Sequence, residues 1–149
     1  MFSGTMLLSA VVLTLLAVSV EASTGGGTSN YNLSGSDLRR LYNSKVYKAE
    51  LMKRPLAGLP IMWGPISHSG VRVTLANGSR WLIHKGKGYG VSSDTVVVNA
   101  RYMSREWRAV MEGNFRGRKT VANFVATGGS RYHWLFDNCH WASIRMIKQ

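Results

Sequence analysis

The stretch Val71-Arg72-Val73-Thr74-Leu75-Ala76-Asn77-Gly78-Ser79-Arg80-Trp81-Leu82-Ile83-His84 decides how this chain folds. Val71, Val73 and Leu75 alternate with Arg72 and Thr74, the period of a half-buried strand. Trp81-Leu82-Ile83 comes back with the same β preference. Asn77-Gly78 between the two runs is a strong hairpin signal, because a type I′ turn needs positive φ at both central residues. The expectation is a hairpin over about 71–84 with a two-residue loop, which sets Val71 opposite His84. In that register His68, just upstream, falls on the face away from His84. A bulge or bend at Ser69-Gly70 is what would turn it over.

Upstream, Ser34 and Ser36 are capping residues. Leu38, Leu41, Tyr42, Val46 and Ala49 follow at helical spacing, predicting an N-terminal helix over about 36–52 that ends before Pro55. Downstream, Lys85-Gly86-Lys87-Gly88-Tyr89-Gly90 reads as a flexible basic loop. It is not read as a phosphate cradle, since neither a helix pattern nor a Lys-Ser/Thr pair follows. Thr95–Val98 reads as a short buried strand, Ser104–Met111 as one or two helical turns, and Asn114–Lys119 as a basic loop. Val121, Phe124 and Val125 indicate a short helix closed by Gly128-Gly129. Asp137 and Asn138 are good N-caps for a helix over about 138–147. The expected fold is α+β: a small antiparallel sheet with a central hairpin, packed against the N-terminal and C-terminal helices in one domain over 36–149.

Composition agrees with one domain. The chain has 149 residues and is 45% hydrophobic, enough to bury a core, so it is not a disordered basic tail. Its 19 Lys and Arg against 7 Asp and Glu give +12. No base precedes Arg39. Met6–Val20 is apolar apart from Ser9, Thr14 and Ser19, and is shorter than the ~20 residues of a comfortable membrane span. Val20-Glu21-Ala22 then offers small residues to a signal peptidase. These features predict a signal peptide over 1–22, a flexible Gly/Ser leader over 23–35, and a secreted, extracellular product with no stable membrane span after cleavage. Cleavage removes Glu21 and no base, taking the charge from +12 to +13.

Arg39, Arg40, Lys45, Lys48, Lys53 and Arg54 form one basic cluster, and Arg101, Arg105, Arg108, Arg116, Arg118 and Lys119 a second. Such surfaces suit anionic membranes, microbial envelopes or glycosaminoglycans. The signal peptide argues against nucleic acid. Asn32-Leu33-Ser34 and Asn77-Gly78-Ser79 are glycosylation sequons, as a glycoprotein would carry.

The single cysteine excludes an intramolecular disulfide scaffold and a Cys-rich zinc finger. Cys139 falls in the first turn of the C-terminal helix, where backbone N–H groups and the helix dipole favour the nucleophilic thiolate. A neighbouring imidazole would lower its pKa further. The plainer readings are an inert buried thiol or an intermolecular disulfide. A zinc site from His68, His84, Cys139 and either His133 or His140 lacks the usual ligand spacing, so no metal or cofactor is expected. His140 points about 100° away from Cys139 around a helix, toward the surface or a partner. Trp63, Trp134 and Trp141 are placed to wall a pocket near the thiol.

His68-Ser69-Gly70-Val71-Arg72-Val73, then Trp81-Leu82-Ile83-His84, then Asn138-Cys139-His140-Trp141 resemble the circularly permuted papain-like hydrolases. This NlpC-like group includes lecithin:retinol acyltransferase and its small phospholipase/acyltransferase relatives. The likeness spans His68 to Trp141. The acyltransferases have Glu-His-Phe after Asn-Cys, where this chain has His140-Trp141-Ala142. The resemblance implies an antiparallel sheet packed on the nucleophile helix, with Cys139 as nucleophile, His68 as general base and His84 as the polar orienting group.

Two functions follow from these features. One is a secreted thiol hydrolase or acyltransferase acting on an amide or ester. The other is a non-catalytic cationic protein of the same scaffold that binds anionic surfaces.

Overall fold

The structure, a computed structural model, describes residues 33, 35–56, 62, 67–85, 95–130 and 137–149. The expected signal peptide, nearly all of the leader, Gly86–Gly90, Trp63, His133 and Trp134 lie outside the described residues. The first element is helix α1, Gly35–Asn43, with Leu41 buried. Its last carbonyls are taken by local side chains: Asn43 Nδ2 donates to Arg39 O at 2.9 Å and Ser44 Oγ to Arg40 O at 2.8 Å. The chain then becomes strand β1, Lys45–Arg54. The N-terminal helix expected over 36–52 is therefore a short helix followed by a strand.

The reason is a bulge. The pairing of β1 shifts register between Val46 and Lys48, so Val46 and Ala49 both reach the core and are fully buried. A bulged strand has reproduced the three-residue spacing of a helix.

Strand β2 runs His68–Leu75, β3 Arg80–Lys85, β4 Thr95–Asn99 and β5 Arg108–Thr120. Helix α2 follows over Val121–Gly128 and helix α3 over Cys139–Lys148. The strands form one antiparallel sheet in the order β4-β3-β2-β1-β5. The architecture is α+β, as the sequence indicates. Helix α2 begins in a capping box between Thr120 and Asn123. Strand β5 takes the place of the helical turns expected at Ser104–Met111 and the loop expected at Asn114–Lys119. Its loop-like composition comes from a second irregularity: Val46 pairs with Lys119 and Lys48 with Asn114, so residues 115–118 bulge out opposite Tyr47.

One face of the sheet carries Ala49, Leu51, Val71, Val73, Ile83 and Val97. These pack under Leu41, Phe124, Ala142 and Met146 from the three helices. Each large apolar side chain buried there stabilises by roughly 1.5–3 kcal/mol. The opposite face holds a smaller cluster of Met52, Leu82 and Trp107. Among the described residues, no helix is long and apolar enough to cross a membrane.

The β2–β3 hairpin has a three-residue loop where two were expected. Leu75 N donates to Ser79 O and Gly78 N to Leu75 O, each at 3.0 Å. Gly78 has φ 78°, whereas Asn77 is not in the positive-φ region. This is a type I turn followed by a left-handed glycine. Asn77 Oδ1 accepts from Ser79 N at 3.0 Å and from Ser79 Oγ at 2.7 Å, which favours the longer loop. Val71 consequently faces Ile83, one position short of His84. That single step moves His68 and His84 onto the same face.

Candidate active site

With the register so set, His68 Nε2 lies 3.3 Å from His84 Nδ1, and the rings stand at 84° to each other. Both are buried, 1% and 2% exposed. No bend at Ser69-Gly70 is required. Gly70 allows the close approach: a Cβ there would lie 3.0 Å from His84 Cβ and 2.8 Å from Leu82 Cδ1.

The pair shares one proton-mediated contact, so its tautomers are complementary. If His68 Nε2–H donates to His84 Nδ1, His68 keeps a bare lone pair on Nδ1, and His84 Nε2 carries a hydrogen. His84 Nε2 is buried without a hydrogen-bond partner. Burial, then the Arg54 charge, lowers the His84 pKa to about 4. Burial also holds His68 well below the usual imidazole value, assisted by His84, Arg54 and His140. Both rings are neutral at physiological pH.

Arg54, the last residue of β1, is the Cα partner of His68 and is only 4% exposed. Its guanidinium lies 5.5 Å from the centre of the Trp107 ring, which is itself 5.5 Å from the His68 ring. Nη1 donates to Pro55 O at 2.9 Å. Burial lowers its pKa, opposed by the charges of Glu106 and Cys139. Arginine nonetheless remains protonated throughout the physiological range. By sequence, Arg54 belongs to a basic cluster suited to an anionic surface. In the strand it alternates with Lys53 and shares the face of Met52.

Cys139 is the first residue of α3, as expected. Asn138 caps it, with Oδ1 accepting from His140 N at 3.0 Å and Trp141 N at 3.2 Å. The thiol is buried and free. Burial raises its pKa, outweighing the backbone N–H groups of Ser69, Cys139 and His140 and the Arg54 charge, all of which favour the thiolate. The expected thiolate preference at the helix start is thus reversed at rest. Among the described residues no hydrogen bond joins the thiol to His68 or His84. The Ser69 N–H is among the backbone groups that favour the thiolate, but along β2 Ser69 alternates to the α3 face while His68, like His84, alternates to the face of Met52 and Trp107.

Ser69 Oγ in turn lies 2.5 Å from His140 Nδ1. His140 is therefore half-buried against β2, not turned out to the surface. Trp141 is 55% exposed.

The turn leading into α3 is locked by charge. Lys85 is fully buried at the end of β3 and sits 2.7 Å from Asp137 Oδ2, while Arg145 Nη2 reaches Asp137 Oδ1 at 2.6 Å. Lys85 Nζ and Arg145 Nη2 each donate to Gly128 O at 3.0 Å. Burial opposes ionisation of Asp137, but hydrogen bonds from Lys85 and Arg145 hold its carboxyl below the usual value. Lys85 is thus a strand-end anchor rather than the start of a basic loop. Among the described residues no group of three or more His, Cys, Asp or Glu could hold a metal ion.

No protein-family model matches this chain, and no curated protein or solved structure does so either.

Proposed function

We propose that the chain is a secreted thiol hydrolase or acyltransferase acting on an amide or ester, with Cys139 as nucleophile, His68 as general base and His84 as orienting group. The observation that carries this reading is the buried His68–His84 contact, one residue from the N–H that approaches the Cys139 sulfur. A neutral imidazole in a dry site is a competent base. His84 fixes its orientation and tautomer, as the third member of a nucleophile–base–orienter set does.

The reaction starts from neutral thiol and neutral imidazole. The S–H proton passes to His68 Nδ1 as sulfur attacks the acyl carbon, and the carbonyl π electrons move onto oxygen. The N–H groups of Ser69 and Cys139 and the Arg54 cation, which favour negative charge on the sulfur, are the proposed stabilisers of that oxygen. Collapse re-forms the carbonyl and expels the amine or alcohol, which takes the proton from His68. A thioester on Cys139 remains. Water gives hydrolysis and an acceptor alcohol or amine gives transfer, each losing its proton to His68 and restoring the thiol. Secretion rests on the apolar segment Met6–Val20 and the small residues after it.

Trapping the intermediate tests the reading. Incubation of the full chain with an activated ester, followed by mass spectrometry, is expected to place one acyl group on Cys139. Cys139→Ser should abolish it, and His68→Gln should slow it by roughly 10²–10⁴-fold, the usual worth of a general base. Acylation that appears only on denatured protein, or that is indifferent to His68→Gln, would overturn it.

A further inference from the structure

The chemistry above leaves most of the +12 charge unused, and a cleft on the far side of β1 gives part of it a purpose. The cleft has a volume of about 570 Å³ and is lined by Tyr47, Lys48, Glu112, Gly113, Asn114 and Arg116. That lies within the range of small-ligand clefts. It exists because of the paired irregularity in β1 and β5, where the four residues 115–118 oppose Tyr47 alone.

The bulge is pinned from inside. Phe115 is buried and packs edge-on against Phe124 at 4.9 Å between ring centres. Arg116 and Gly117 follow with φ of 51° and 75°, and Arg116 is the sole non-glycine residue at positive φ among the described residues. A Cβ on Gly117 would approach the Tyr47 ring to 3.3 Å, so the glycine lets the backbone lie against the aromatic. An arginine is a poor choice for this conformation on backbone grounds. Its side chain is exposed and, among the described residues, makes no hydrogen bond or ion pair.

Tyr47 is 44% exposed, so its ring offers a flat wall to a ligand. Arg118 and Lys119 continue the basic run. Lys48 is held between Glu112 at 2.8 Å and Glu50 at 3.7 Å. Glu112 opposes any anion placed directly beside it, so negative groups belong at the Arg116 end. The Glu112 carboxylate and the Asn114 amide instead suit hydroxyl groups.

A pyranose with an anionic substituent satisfies all of these. Its C–H face packs on the electron-rich Tyr47 ring, its sulfate or carboxylate meets Arg116, and its hydroxyls meet Glu112 and Asn114. We infer that the β1–β5 cleft is a binding site for a sulfated or uronic-acid-containing saccharide unit of an anionic polysaccharide. The site is built in advance by the bulge, which limits the ordering cost of binding. A lipid surface fits less well, because the aromatic is set in a concave cleft beside a carboxylate.

The test is titration of the full chain with a heparin-derived hexasaccharide at 0.15 M salt, followed by calorimetry. Tyr47→Ala and Arg116→Gly are each expected to weaken binding at least tenfold. The glycine variant removes the cation while suiting the positive φ, so it preserves the fold. Arg105→Ala, beyond the opposite end of β5, is expected to change affinity less than twofold. A de-N-sulfated, desulfated hexasaccharide should bind at least tenfold more weakly. Equal losses from Arg105→Ala and Arg116→Gly would show diffuse charge attraction and overturn the assignment. So would unchanged binding by Tyr47→Ala, or binding to phosphatidylserine vesicles without binding to the hexasaccharide. None of these readouts depends on Cys139.

Discussion

At the scale of single residues, a base role for His68 turns on which of its nitrogens carries the proton. A base role requires Nε2–H toward His84 Nδ1 and a bare Nδ1, leaving the hydrogen of His84 on the buried, unpartnered Nε2. Long-range ¹H–¹⁵N spectra at pH 7 should show His68 Nδ1 and His84 Nδ1 as the unprotonated, pyridine-like nitrogens. The reverse pattern would place a proton on His68 Nδ1 and remove its basic lone pair. Arg54 bears on the same site, since its charge lowers both imidazole pKa values. Arg54→Met should therefore raise the His84 pKa above about 4, and Arg54→Lys should hold it nearer that value. A His84 titration indifferent to Arg54→Met would show that burial alone sets it. Arg54 itself was hidden in the sequence, because a buried arginine and a solvated one are written with the same letter. Only its partners, Trp107 and the histidine pair, separate the two cases.

At the scale of elements, the sequence reports what one strand does well and what two strands do together poorly. The hairpin, β4, the capped α2 and the Asn138-capped α3 were legible because caps and alternation act locally. The N-terminal helix was over-extended because a bulge at Tyr47 copies helical spacing. The histidines were assigned to opposite faces because Asn-Gly serves both two- and three-residue loops, and one residue of loop inverts every facing. The Lys85–Asp137–Arg145 cluster was illegible for another reason: its members come from three separate segments. It makes a prediction at its own scale. Asp137→Asn leaves the Lys85 ammonium buried without its counter-charge and should cost roughly 3–5 kcal/mol. Lys85→Met should cost clearly less, since Asp137 is partly exposed and keeps Arg145. Urea denaturation of the two variants decides it, and equal losses would contradict the asymmetry.

At the scale of the whole molecule, two buried neutral histidines make stability pH-dependent. Their folded pKa values lie below the ordinary 6.5, so the unfolded chain binds more protons as pH falls. Their contribution is complete above pH 6.5 and is lost as pH drops through the folded value, about 4 for His84. For His84 alone the loss approaches about 3 kcal/mol, at 1.36 kcal/mol per unit. Glu50 and Asp137 have lowered pKa values and remain ionised through most of that window, so the early loss belongs to the histidines. Urea midpoints that stay level between pH 7 and 5 in the wild type would contradict this.

The same neutral resting state gives the enzymatic reading its most direct test: the pH dependence of Cys139 acylation by p-nitrophenyl acetate, followed as the release of p-nitrophenolate. Base-assisted attack from a neutral thiol predicts a rate that is level between about pH 6 and 8, falls only well below the ordinary imidazole range as His68 is protonated, and loses its plateau in His68→Gln. An inert thiol, reactive only as its scarce thiolate, would instead give a rate climbing about tenfold per pH unit in both proteins, and that result would contradict the account.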